Sequence, residues 1–91
     1  LFLFMLLSGV IKPVYSQRNV DLMIMQTQQM LVNDNYINAI KLANEIVLVK
    51  PYLYEPFFLR GVSKFYLEDY YGALSDLDKA VELKANSPRA Y

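Results

Sequence analysis

The chain of 91 residues has no cysteine and no histidine, and its nine basic residues are cancelled by nine acidic ones. Without cysteine there is no disulfide, no thiolate nucleophile and no thiolate zinc site, although this alone names no compartment. Without histidine the commonest general base and metal ligand is missing. The balanced charge, with Lys and Arg scattered among acids, leaves no basic face to neutralise a run of phosphates and argues against nucleic acid as the main ligand. A glycine-rich phosphate loop, a nucleophile with its base and a catalytic pair of carboxylates are absent too. These absences point away from an enzyme and away from any metal or cofactor.

What is present is hydrophobic patterning, in a chain that is 55% apolar and long enough for one small domain. Between Glu55 and Ser87, Tyr70, Ala73, Leu74, Leu77, Ala80 and Val81 recur at helical spacing and predict one amphipathic helix with a buried stripe. Before it, Phe57, Gly61 and Phe65 form one row at i+4 spacing, and Phe58, Val62 and Tyr66 form the row beside it. A helix with two apolar flanks needs two neighbours.

The pattern repeats. Counting back 34 residues, the six stripe positions become Tyr36, Ala39, Ile40, Ala43, Ile46 and Val47, all apolar or aromatic and three of them identical. Asp34-Asn35-Tyr36 overlays Glu68-Asp69-Tyr70, and Lys50 overlays Lys84. A period of 34 residues carrying two helices resembles the tetratricopeptide repeat. Gly61 and Thr27 stand where that family places a small residue in the first helix. Asn35-Tyr36 and Asp69-Tyr70 match its turn, Ala39, Ala73 and Ala80 match its small residues, Phe57 its aromatic and Pro51 its closing proline. Met23, Ile46 and Ala85 depart from the pattern.

The resemblance implies an all-α protein, tandem antiparallel helix-turn-helix repeats forming a short right-handed solenoid, with units at residues 20–53 and 54–87. Helices are expected from Val20 to about Asn33, from Tyr36 to Val49 and, after Pro56, to the turn at Glu68-Asp69; the last ends near Lys84. Ser87-Pro88 reads as the start of a further repeat or capping helix over residues 88–91, with the protein continuing beyond. At the other end, the apolar run of residues 1–11, then Lys12-Pro13 and Ser16, matches a secretory signal peptide over residues 1–16, cleaved before a polar linker, 17–19. The alternative is an uncleaved membrane anchor, of which only about half of the ~20 residues needed to span is present. The first reading makes the protein exported, periplasmic or secreted; the second ties it to a membrane.

Family membership implies a non-catalytic scaffold that holds a partner protein or extended peptide in a groove lined by the first helix of each unit. Carried over, that groove is Asp21, Ile24, Gln28 and Leu31 with Glu55, Phe58, Val62, Phe65 and Tyr66. Its apolar, aromatic surface with an acidic rim suits a hydrophobic or tyrosine-rich segment bearing some positive charge. The plainer reading packs Phe58, Val62 and Phe65 against the neighbouring repeat, which leaves Gln28 and Tyr66 as the first candidates for contact. The family's clamp for a C-terminal carboxylate is not expected, because Ile24, Gln28 and Leu59 occupy its places. Self-association through apolar faces is a further reading, as is a docking module of a larger enzyme or sensor. Asp76, Asp78 and Glu82, interleaved with lysines, are expected on a solvated face rather than in a metal or acid-base site.

Overall fold

The computed structural model describes residues 19–87; residues 1–18, which include the span expected to be a signal peptide or anchor, and residues 88–91, expected to begin a further repeat, lie outside the described residues. Within that span the protein is all-α: α1 (Val20–Val32), α2 (Tyr36–Val49), α3 (Tyr54–Tyr66) and α4 (Tyr70–Ala85). The bounds of α3 are those of α1 moved by 34 residues, and the start of α4 is the start of α2 moved by the same step. Connections of three or four residues bring each helix back against the one before it, so α1 packs on α2 and α3 on α4 as two hairpins. α3 is the shared element, since it also packs against both helices of the first hairpin.

The two hairpin turns have the same construction. After α1, Asp34 N–H donates to the Leu31 carbonyl at 3.0 Å and Asn35 N–H to the Met30 carbonyl at 2.7 Å. After α3, Glu68 N–H donates to Phe65 at 2.9 Å and Asp69 N–H to Lys64 at 2.8 Å. This pair of bonds satisfies carbonyls that a helix end would otherwise orphan, and it requires one residue in the left-handed region. That residue is Asp34, with φ 60°, and Glu68, with φ 68°. Asn35, next in the turn, has φ −93° and precedes the first residue of α2. The longer connection is a turn closed by Leu53 N–H on the Lys50 carbonyl, with Pro51 second in it, where its fixed φ fits. Pro56 follows as the third residue of α3, where a missing N–H leaves no bond unmade.

Small side chains set how closely the helices approach. Ala39, Ala43, Ala73 and Ala80 are buried together with Val20, Ile46 and Leu59. A Cβ at Gly61 would fall 2.9 Å from Leu77 Cγ and 3.1 Å from Asp76 Cβ, so only glycine lets α4 lie this near to α3. Thr27, at the matching place in α1, is fully buried, and its hydroxyl donates to the Met23 carbonyl at 2.8 Å; Ser63 treats Leu59 likewise. Both hydroxyls are thereby satisfied within their own helices.

Two expectations need correction. Asp76 is not on a solvated face: it is 5% exposed and turned toward α3. Nor is the α4 stripe buried along its length. Ala73 and Ala80 are covered, but Tyr70, Leu74 and Val81 stand in water, because among the described residues α3 is the main neighbour of this helix and one neighbour hides only part of an apolar face.

Candidate functional site

Two surfaces concentrate the chemistry of the molecule. On one side α1, α3 and α4 enclose a groove of about 470 Å³, lined by Gln28 from α1, by Tyr54, Glu55, Phe58 and Leu59 from α3, and by Leu77, Ala80, Val81 and Lys84 from α4. Its walls are apolar and its polar groups few, as in sites that take a side chain of a partner. The Glu55 carboxylate oxygen Oε1 is buried there and accepts no hydrogen bond from the described residues. A buried acceptor left unsatisfied costs about 1–3 kcal/mol, which an incoming donor would recover. Also lining the groove, the Lys84 ammonium lies 5.2 Å from the centre of the Tyr54 ring.

Of the nine residues expected to line a binding face, Gln28, Glu55 and Phe58 are brought together in this groove, and Asp21 is exposed outside its lining. Ile24, Leu31 and Val62 are half-buried and are not among its lining residues. Phe65 and Tyr66 are exposed, but they belong to a different feature, an aromatic row that runs from Tyr36 through Tyr66 and Phe65 to Tyr70. Tyr36 and Tyr66 stack with ring centres 5.1 Å apart and planes 8° from parallel, so one face of Tyr66 is already taken. Tyr36 also donates its hydroxyl to Asp34 Oδ1 at 2.9 Å, and chiefly this bond raises the phenol above its ordinary pKa. The α4 residues of the groove were missed. Leu77, Ala80 and Val81 belong to the stripe that the spacing assigns to the interior, and Lys84 continues the same face beyond it.

On the other side of α3 lies an ionic seam. Arg60 grips both carboxylate oxygens of Asp76, Nε to Oδ2 and Nη2 to Oδ1, each at 2.7 Å, and Lys64 Nζ adds a third contact to Oδ2 at 2.9 Å. Arg60 Nη1 also donates to Asn44 Oδ1 at 2.9 Å, and the guanidinium sits 5.3 Å from the centre of the Phe57 ring. One side chain thus ties α4 and α2 to α3. Burial pushes the Asp76 carboxyl up, but the hydrogen bonds from Arg60 and Lys64, with their charges, outweigh it and hold the group below its ordinary value. Both cations are spoken for, and the seam has the character of a structural clasp.

Among the described residues no group of three or more acidic, histidine or cysteine side chains could hold a metal ion, and no helix is long and apolar enough to cross a membrane. Comparison with family models, with curated proteins and with solved structures gives no match.

Proposed function

We propose that this chain is a tetratricopeptide-like repeat whose two hairpins stack as the start of a solenoid, and that it serves as a protein-binding scaffold, exported by its leader, rather than as an enzyme. The 34-residue step in the bounds of the helices supports the repeat reading, together with the duplicated turn geometry. The binding reading is carried by one observation: the buried Glu55 oxygen without a donor, set in an apolar groove beside the exposed Phe58 ring. A partner that supplies an apolar side chain to the groove and a Lys or Arg to Glu55 satisfies both features.

The test uses fluorescence anisotropy with two sets of labelled peptides, apolar and tyrosine-rich, one set carrying a lysine or arginine and the other an acidic residue in its place. The cationic set binds and the acidic set does not. Phe58→Ala weakens binding about ten-fold or more, the equivalent of about 1.4 kcal/mol. Glu55→Gln keeps the shape and removes the preference for the cationic set. Equal binding of both sets, or no loss in Phe58→Ala, would overturn the reading.

A further inference from the structure

We infer that the α3–α4 face takes a second copy of this chain, with α1 of one copy seated on α3 and α4 of the next as α3 is seated on α1 and α2 within the chain. The observation is a set of matched exposures one 34-residue step apart. Ile24, Leu31, Tyr36, Ile40 and Val47 of the first hairpin are half-buried. Their counterparts Phe58, Leu74, Val81, Phe65 and Tyr70 are exposed, from 48% at Phe58 to 69% at Val81. What covers the first set is α3, which packs on both α1 and α2. Nothing among the described residues covers the second set.

The complementary surface lies on α1. On α3 the Gly61 side faces α4, and Pro56, Leu59 and Ser63 lie roughly 140–200° around the helix from it, at 100° per residue. These three are nonetheless buried, so the first hairpin covers them. One step earlier stand Leu22, Met25 and Gln29, all exposed, Met25 by 63%. The chain therefore carries both halves of its own internal seam a second time, one half open on α1 and the other open on α3 and α4. Large exposed apolar side chains in two such patches are the usual mark of an interface.

Because the two halves lie at different places on the molecule, the contact is head-to-tail, and each copy added leaves a fresh pair of open faces. The seating shares Phe58 and Val81 with the peptide groove, so the two readings are separated by Met25, which the groove does not use, and by Glu55, which the seating does not use. Sedimentation of the 91-residue chain is expected to give a mean mass that climbs with concentration past that of one chain. Val81→Glu and Met25→Glu change exposed positions and leave the circular dichroism unaltered, and each alone holds the protein at the mass of one chain. An equimolar mixture of the two recovers a dimer and nothing larger, since each variant supplies the face the other has lost. A parent that stays at the mass of one chain overturns the inference, as it would if another segment or a different partner occupied the face. So does association that survives both substitutions, which would trace it to the apolar run of residues 1–11, and so does a mixture that fails to pair.

Discussion

The two hairpins solve the same packing problem with opposite chemistry. Where the second has Arg60, Lys64 and Asp76, the first has Gln26, Met30 and Leu42 at the places 34 residues earlier. The first hairpin joins its helices without charge. The second joins them through a carboxylate that is almost wholly withdrawn from water and held by two cations, themselves 18% and 24% exposed at the side chain. A buried ion pair gains little over a well-packed apolar substitute, because desolvation consumes most of the attraction, but breaking it from one side leaves a charge stranded. What the seam adds is reach: Arg60 continues to Asn44 on α2, so the second hairpin is also tied to the first. The difference teaches that the apolar pattern sets the fold, while these charges clasp the second hairpin and add one hydrogen bond to the first.

The strongest way to break this comparison is Asp76→Ala, which strands Arg60 and Lys64 and is expected to lower the unfolding free energy by about 3 kcal/mol in urea titrations. Replacing all three seam residues with those of the first hairpin, Arg60→Gln, Lys64→Met and Asp76→Leu together, stays within about 1 kcal/mol of the parent. A triple variant as unstable as the single one would show that the seam supplies more than a substitute for apolar packing. Next in size is Gly61→Thr, which also copies the first hairpin. Its side chain collides with Leu77, and about 1–3 kcal/mol is lost in thermal or urea unfolding.

Acid probes the seam without a change of volume. The Asp76 carboxyl titrates lower in the folded protein than in the unfolded chain. Its contribution is therefore complete above the ordinary carboxylate value, about 3.9, and is lost as pH falls through the lower folded-state value. Stability measured against pH should drop over that range, and Asp76→Asn should flatten this part of the curve. The smallest effect concerns the turns. Glu68→Gly relieves a left-handed glutamate and gains about 1 kcal/mol. Asp34→Gly gains less, because aspartate tolerates that geometry better and its carboxylate accepts the Tyr36 hydroxyl. Equal gains at the two turns would contradict this ranking.

The helices were legible in the sequence because the two signals that define them are local. Apolar spacing marks a helical face wherever the partner lies, and Asp34-Asn35 and Glu68-Asp69 mark turns by their own side chains. Asp76 was not legible. Its neighbours in sequence, Asp78 and Lys79, suit a solvated face, and its partners Arg60 and Lys64 lie on another helix, sixteen and twelve residues away. The site was half legible for the same reason. Gln28, Glu55 and Phe58 could be placed on helix faces, but the contribution of Leu77, Ala80 and Val81 depends on how far α3 leaves α4 uncovered. Periodicity records which residues are apolar; the number of neighbours a helix has is a property of the assembly.

The stacked pair Tyr36 and Tyr66 also gives the molecule an optical signature. The two phenols come from different hairpins, their ring centres 5.1 Å apart and their planes nearly parallel, and the chain has no tryptophan whose absorption would overlie theirs. Transition dipoles that close together couple, so among the eight tyrosines this pair contributes its coupled near-ultraviolet circular dichroism only while the two hairpins are seated on one another. The far-ultraviolet signal reports only that the helices exist. Loss of the first signal before the second on heating would reveal hairpins that separate before they unravel.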